Sequence, residues 1–151
     1  MPRKPFLPVI YELVRAYQAF ESYSTPHVRN MGLTSPQFDI IVTLGNTDGM
    51  SFKELGEKTL ITKGTLTGVI DRLEAKSLVR RIASASDGRS QLVQLTQAGE
   101  KLFTQIFPAH LEHLEQVFEH FSPQDFDQSV AALQKLKDAF QAAGINLEEA
   151  A

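Results

Sequence analysis

The chain of 151 residues contains no cysteine. This absence excludes disulfide bonds, zinc sites built from thiolates and redox switches that use a thiol. Long apolar runs are also missing, because no stretch approaches the roughly 18 residues that a membrane-spanning helix needs. The first residues lack the apolar stretch and the cleavage site of a signal peptide, so a cytoplasmic protein is the simplest expectation.

Motifs of common enzyme classes are absent as well. The sequence has no hydrolase elbow, no P-loop and no dinucleotide-binding fingerprint. A protein without enzymatic activity and without a cofactor is therefore expected. The chain has no internal repeat and no low-complexity linker, and its 42% apolar and 22% charged residues are ordinary globular values. A single domain over residues 1–151 is the default expectation.

A stretch in the middle of the chain has the pattern of a short helix, a turn and a second helix. In the second helix, predicted over residues 61–76, apolar residues recur at helical spacing and form one stripe: Leu66, Val69, Ile70 and Leu73. The opposite face is small rather than charged, since it carries Gly64, Thr67, Gly68, Asp71 and Ala75. Whether the Asp71 carboxylate pairs with a nearby cation stays open. Each glycine costs a helix interior roughly 1 kcal/mol relative to alanine. Two outward glycines therefore predict that the backbone approaches a partner closely, and the major groove of DNA admits such a helix.

Two short strands are predicted after this helix, over residues 79–83 and 91–95, from their β-branched content and their boundaries. A small polar loop joins them, with Asp87 and Arg89 near its tip. A β-hairpin after a helix-turn-helix forms a winged helix, and a tip arginine suits the narrow, electronegative minor groove. Asp87 is placed to hold the guanidinium by a charge-assisted hydrogen bond.

The sequence resembles the MarR family of bacterial regulators over about residues 6 to 143, in order and in spacing. The resemblance is carried by Leu33-Thr34 with Gln37, Leu55-Gly56, the run from Lys63 to Glu74, Asp87-Gly88-Arg89-Ser90 and Leu95-Thr96 with Gly99. One departure is Ser77, where the family usually has glycine after the recognition helix. Serine enters the left-handed region of the backbone at modest cost.

The resemblance implies a mainly α fold. A winged helix-turn-helix module at about residues 35–96, with a small β-hairpin wing, is expected between terminal dimerisation helices at about 6–30 and 97–143. The implied function is a transcriptional repressor that binds double-stranded DNA as a homodimer on a pseudo-palindromic operator. The residues predicted to bind DNA are Ser35, Ser51, Thr62, Lys63, Gly64, Thr65, Thr67, Gly68, Arg72, Asp87 and Arg89.

The net charge of −3 is unusual for a nucleic-acid-binding protein, but its distribution is not. From Ser51 to Leu95, eight basic and five acidic residues give +3, so the remainder of the chain carries −6. A basic module set in an acidic body is typical of a sequence-specific DNA-binding protein with a separate assembly region.

Helices are also predicted on both sides of the module. The first is expected to kink or end at Thr25-Pro26, and the second to begin with Ser35 as its cap and Pro36 at its first position. Thr96 is expected to cap a long helix, and Gly144 to end the last one. These terminal helices carry many large apolar residues, which favours a homodimer over an ordinary monomeric core.

A small-molecule effector is expected to bind between the dimerising helices and the winged module. The residues predicted to line this site are Tyr11, Arg15, Tyr17 and His27. An arginine can pair with a carboxylate and the aromatic side chains can stack on a ring, so the predicted effector is a small phenolic or aromatic acid. The alternative is that the tyrosines pack at the dimer interface.

Two alternative functions stay open. His110, His113 and His120 lie near carboxylates on one predicted helix, so the first alternative is a zinc- or other metal-responsive regulator of the same fold. The second is a winged-helix module that binds proteins and has lost DNA binding. The glycine-threonine face and Arg89 argue against the second alternative.

Overall fold

A computed structural model describes residues 3–59, 61–84 and 90–150, with the backbone alone for residues 146–150. The elements in chain order are α1 Leu7–Asn30, α2 Ser35–Leu44, β1 Met50–Ser51, α3 Phe52–Lys58, α4 Lys63–Ala75, β2 Val79–Ala83, β3 Gln91–Leu95, α5 Gln97–Glu115 and α6 Pro123–Ala150. A 3₁₀ turn at Gln116–Phe118 separates α5 from α6. The fold is mainly helical with one small antiparallel sheet, which confirms the predicted class.

The chain divides into two compact units, Met1–Leu114 and Glu115–Ala151. The first unit contains the helix-turn-helix elements and the sheet. In the second unit, the rings of Phe118, Phe121 and Phe126 meet with centroids 5.1 to 5.7 Å apart. None of the helices in the described part of the chain has the length and apolar content that crossing a bilayer requires. The predicted single domain over residues 1–151 stays a prediction.

The sheet has three antiparallel strands in the order β1-β3-β2. Strands β2 and β3 occupy the predicted residues, with Val79 opposite Leu95. The sequence gives no sign of β1, because two residues are too few to produce an alternating pattern. This strand pairs Met50 with Val93, so it joins the start of α3 to the central strand of the sheet.

The apolar stripe of α4 lies in the core of the first unit. Ile70 and Leu73 are fully buried, and Leu66 and Val69 are buried as well. Helix α4 packs against α2, α3 and β2, which contribute further buried side chains to the same core: Ile40, Ile41, Leu44, Leu55 and Val79. The predicted inner face of the recognition helix is therefore confirmed.

Thr34, and not Ser35, caps α2. The Thr34 hydroxyl accepts a hydrogen bond from the backbone N–H of Gln37 at 3.3 Å, and the Gln37 side-chain oxygen accepts one from the backbone N–H of Thr34 at 3.0 Å. This reciprocal pair is a capping box. Ser35 and Pro36 are thus the first two residues of the helix. The prediction was wrong by one residue because threonine and serine are both good caps, and only the side-chain geometry distinguishes them.

Helix α6 runs past Gly144, which was predicted to end it, and α1 runs past Pro26, where a kink or an end was predicted. Helix α1 continues through Pro26 to Asn30, and α6 continues through Gly144 to Ala150. Pro26 removes a backbone donor from α1, but Val28 beside it is buried in the core and holds the last turn in place. Gly144 costs its helix only roughly 1 kcal/mol, and its backbone does not adopt the positive φ of a glycine cap.

A tight junction joins the end of α4 to the start of α5. Ser77 has a left-handed backbone with φ of 60°, the conformation for which the family usually has glycine. The Thr96 hydroxyl donates to the Ser77 carbonyl at 2.7 Å and accepts from the Gly99 N–H at 3.1 Å, so Thr96 caps α5 as predicted. A Cβ atom at Gly99 would collide with the carbonyl oxygen of Leu78. Glycine is therefore required where α5 begins.

We predict that Gly99→Ala lowers the free energy of unfolding by about 1–3 kcal/mol, because the Leu78 backbone has to move away from the new methyl group. Gly56→Ala is the matched control, since its Cβ would lie 4.0 Å from Leu66 in ordinary contact. That control should gain up to roughly 1 kcal/mol from its higher helix propensity. Urea unfolding at one protein concentration measures both, and equal stability of the two variants would contradict the predicted collision.

Candidate nucleic-acid interface and ligand cavity

The outer face of α4 is exposed, and two of its residues, Gly64 and Gly68, have no side chain. Seven of the residues predicted to bind DNA lie on this helix or immediately before it, and all are exposed: Thr62, Lys63, Gly64, Thr65, Thr67, Gly68 and Arg72. A Cβ atom at Gly64 or Gly68 would meet no described atom within 4 Å. Packing inside the described chain therefore does not explain these glycines, whereas close approach of a partner does.

The N-terminal end of α4 also suits a phosphate. The backbone N–H groups of a helix's first turn carry partial positive charge. Thr62 makes no side-chain hydrogen bond to these groups, and its hydroxyl donates instead to the Thr65 hydroxyl at 3.1 Å. Lys63 follows as the first helical residue and is exposed. Backbone dipoles and a cation thus favour an anion at the same end of the helix.

Asp71, an exposed carboxylate on the outer face, is paired with an arginine of the sheet. Arg81 on β2 contacts the Asp71 carboxylate through Nη2 and lies 3.7 Å from a Glu74 oxygen through Nη1. The guanidinium also sits over the Phe52 ring, 5.6 Å from its centroid. The sequence left open whether Asp71 pairs with a cation, and the structure answers that it does. The pair offsets the negative charge and joins α4 to the wing.

The other four residues predicted to bind DNA, Ser35, Ser51, Asp87 and Arg89, do not belong to α4. Ser51 caps α3: its hydroxyl accepts from the Glu54 N–H at 3.1 Å and lies 3.3 Å from the Glu54 carboxylate. Ser35 is exposed at the start of α2, where it lines a cavity. Asp87 and Arg89 lie outside the described residues. The seven residues of α4 and its cap are thus exposed together on one helix. Ser51 caps α3 instead, and Ser35 lies at the start of α2 beside the cavity.

A cavity of about 470 Å³ lies between α1, α2, the end of α3 and α5. This volume is within the range of small-molecule sites. Apolar side chains make up much of its wall, among them Phe20, Val28, Phe38, Phe107, Leu111 and Leu114. The polar side chains that line it include Tyr17, Glu21, Ser24, Asp39, Lys58 and His110. An apolar pocket with a few polar groups is suited to an aromatic molecule with a polar substituent.

Of the four residues predicted to bind an effector, the structure places only Tyr17 in the cavity wall. A hydrogen bond to Glu21 raises the pKa of the Tyr17 phenol above its usual value. Arg15 lies over the ring of Tyr11, 5.6 Å from its centroid, on the exposed first half of α1. His27 contacts two histidines of α5 and does not line the cavity.

The polar residues of the cavity wall other than Tyr17 were missed as ligand contacts, and two of them are His110 and Lys58. His110 is 5% exposed and was weighed only as a metal ligand. Its spacing from Phe103 and Ile106, both buried on α5, gave a usable signal, because the three share one helix face. Lys58 ends α3, and nothing in the local sequence marks it as facing a cavity. The part of the chain that the structure describes holds no group of three or more His, Cys, Asp or Glu residues placed to bind a metal ion.

We predict that Gly68→Ala separates stability from DNA binding. The added methyl group meets open space in the free protein and improves helix propensity, so the free energy of unfolding should rise by up to roughly 1 kcal/mol. The same group would hold the helix away from the groove floor and weaken binding to a selected duplex by about tenfold. Gly56→Ala, on α3, should gain similar stability and keep its affinity. Undiminished affinity in Gly68→Ala would remove this face from the interface.

The comparisons with known proteins agree with this geometry. The sequence profile of the MarR family matches residues 33–91. The transcriptional regulator MhqR of Bacillus subtilis is 28% identical over 124 residues, which are 82% of this chain and 86% of that protein. The homoprotocatechuate degradative operon repressor of Escherichia coli is 29% identical over 91% of this chain and 90% of its own. The uncharacterised regulator YsmB of Bacillus subtilis is 30% identical over 68% of this chain and 72% of its own.

Solved structures extend the likeness to the whole fold. BpsR of Bordetella bronchiseptica, whose DNA binding is regulated by 6-hydroxynicotinic acid, superimposes with a TM-score of 0.79 at 28% identity over 91% of this chain and 99% of its own. NadR in complex with 4-hydroxyphenylacetate gives 0.75 at 26% identity, over 90% and 97%. The curated relatives are transcriptional regulators and not enzymes, as predicted. With its bare recognition helix and its winged-helix fold, this chain belongs to the MarR family of DNA-binding transcriptional regulators.

Proposed function

We propose that this protein represses transcription as a homodimer on a pseudo-palindromic operator, and that a small aromatic or phenolic acid in the cavity releases it. The proposal that the protein binds DNA through α4 is supported mainly by the outer face of that helix. It is exposed and small, and its cations Lys63 and Arg72 are exposed as well. In this proposal α4 enters the major groove, while Arg89 of the wing reaches the minor groove.

Exposed apolar residues support the homodimer. The exposed apolar residues from the N-cap of α1 to the middle of that helix are Phe6, Leu7, Val9, Ile10, Tyr11, Val14, Tyr17 and Phe20. The unit Glu115–Ala151 separately exposes Val117, Phe118, Phe121, Phe126, Val130, Leu133, Phe140 and Ile145. Apolar patches of this extent on a soluble protein commonly mark contact sites. The position of Tyr11 and Arg15 outside the cavity wall agrees with a role in this contact rather than in effector binding.

The cavity supports the effector. Its volume of about 470 Å³ and its aromatic wall suit a single aromatic ring. Two proteins of similar structure respond to or bind such compounds: 6-hydroxynicotinic acid regulates DNA binding by BpsR, and NadR forms a complex with 4-hydroxyphenylacetate. The Escherichia coli relative is the repressor of a homoprotocatechuate degradative operon. By analogy, we propose an aromatic acid here, with Tyr17 beside its ring.

The position of the cavity supplies the means of release. Lys58 ends α3 and Ile61 lies just before α4, and both line the cavity together with residues of α1 and α5. A ligand in this space contacts both the recognition module and the helices that carry it. In one arrangement of the dimer, the spacing of the two recognition helices does not match the operator. A ligand that binds this arrangement tenfold more tightly than the matching one supplies about 1.4 kcal/mol of coupling per site.

Selection of bound sequences from random duplex DNA, followed by footprinting, tests the operator. We expect two half-sites about 10 base pairs apart, centre to centre, because two recognition helices of a dimer enter successive major grooves. Leu133→Glu places a charge on an exposed apolar position and should weaken dimerisation and operator binding together. Gln134→Glu, its exposed neighbour, is the control with the same charge change. A single half-site protected by a monomer would contradict the proposal.

The effector is tested on the selected operator. Millimolar 4-hydroxyphenylacetate or 6-hydroxynicotinic acid should weaken binding by roughly tenfold or more for two coupled sites. Tyr17→Phe is the mild variant at the cavity wall, and Tyr11→Phe, on the exposed first half of α1, is its control. The concentration of acid that weakens operator binding should change in Tyr17→Phe and should stay as in the wild type in Tyr11→Phe. If neither acid changes the affinity for the operator, the proposed effector class is wrong.

A further inference from the structure

Three histidines lie together where α1 meets α5. The ring of His27 stacks on that of His113 with centroids 4.0 Å apart, and it lies 5.2 Å from that of His110. The Nδ1 atoms of His27 and His110 are 2.9 Å apart. His110 is buried, and it also lines the cavity. One imidazole therefore contacts a second histidine and borders the ligand cavity.

The contact between the two Nδ1 atoms fixes how many protons this pair can hold. Two N–H groups cannot face each other at 2.9 Å, so one Nδ1 donates and the other accepts. If His110 takes up one further proton, it donates from Nδ1 to His27 and from Nε2 to the Ser24 hydroxyl, 3.1 Å away. Every existing contact is then kept. The pair can accept one proton without rearrangement, and a second proton would break it.

The free protein disfavours that proton. Burial lowers the pKa of His110 below its usual value of 6.5, and the neighbouring His27 and His113 lower it further. Burial and His113 lower the pKa of His27 in the same way. Near neutral pH, His27 and His110 are therefore uncharged.

The charged groups around His110 have both signs. The titratable and charged side chains that face the cluster and the cavity are Tyr17, Glu21, Tyr23 and His27 from α1, Asp39 from α2, Lys58 from α3 and His113 from α5. Two of these groups, Glu21 and Asp39, are carboxylates, and one, Lys58, is an ammonium group. A proton on His110 would add positive charge beside the cavity in which the anionic ligand is proposed to bind.

We propose that the cavity binds an ionised aromatic acid together with one proton: His110, hydrogen-bonded to His27 and to Ser24, takes the proton, and the Ser24 hydroxyl donates to the carboxylate. This inference rests on the proposed effector class. The carboxylate of the ligand offsets the cost of charging a buried imidazole. The imidazolium in turn favours the carboxylate, because its Nε2–H polarises the Ser24 hydroxyl that donates to the ligand. The proton comes from solvent, and no covalent bond of the ligand changes.

The pH dependence follows from this linkage. Ligand binding raises the pKa of His110, so the added affinity is fully present below the pKa of the free protein and is lost as pH rises through the pKa of the complex. Because burial holds the free pKa below 6.5, the affinity starts to fall below pH 6.5, and the loss is complete above the pKa of the complex. Between the two pKa values, affinity should fall by about tenfold per pH unit.

Calorimetric titration of the full-length protein with 4-hydroxyphenylacetate tests the proposal. Comparing phosphate with Tris buffer at several pH values gives the number of protons taken up, which should approach one between the pKa of the free protein and that of the complex. In His110→Gln that number should fall to near zero and the affinity should become independent of pH. His120→Gln, which alters a histidine outside the cluster, should behave as the wild type. Nitrogen-15 spectra of the wild-type imidazoles provide a second readout, since both His110 nitrogens should move to imidazolium positions when ligand is bound.

The outcomes separate the two proposals. Binding without proton uptake, with His110 still neutral in the spectra, would overturn this inference and leave the effector class standing. Lys58 would then be the candidate partner of the carboxylate, and Lys58→Gln would abolish binding. Failure of both 4-hydroxyphenylacetate and 6-hydroxynicotinic acid to bind at any pH would overturn the effector class, and this inference with it.

Discussion

The burial of one side of α4 is the constraint on which the rest of the structure depends. Leu66, Ile70 and Leu73 are enclosed by α2, α3 and the sheet, so the opposite side of the helix has to face outward. Glycines at positions 64 and 68 weaken an isolated helix, and the buried stripe offsets that cost. Stability comes from the inner face, which leaves the outer face free to match DNA.

Two connections transmit the position of α4 to the rest of the first unit. The Asp71–Arg81 pair joins the helix to the sheet, and the Thr96 hydroxyl joins Ser77, just past its end, to the start of α5. Helix α5 then carries His110, which borders the ligand cavity. A molecule in the cavity therefore contacts an element that is hydrogen-bonded to the end of the recognition helix. The proposed coupling of ligand binding to DNA binding rests on this continuity.

The sequence predicted what depends on local pattern. The stripe of α4 and strands β2 and β3 were correct, because each repeats over enough residues to give a period. A kink or an end of α1 was predicted at Pro26, and the helix does not end there, because tertiary packing of Val28 outweighs the local penalty of proline. The cavity wall was largely missed because its residues come from four elements far apart in sequence. His110 shows the difficulty well: its neighbours His27 and Ser24 are more than eighty residues away along the chain.

Crosslinking from the outer face of α4 tests the central claim most directly. Because the chain has no cysteine, Thr67→Cys gives one attachment point for a photoreactive label on that face. With the selected operator, the account predicts crosslinks to bases in the major groove of both half-sites, about 10 base pairs apart. A label at Gln134→Cys, on α6, should give none. Crosslinks that are absent from Thr67→Cys, or equal in the two variants, would contradict the assignment of α4 as the helix that contacts the bases.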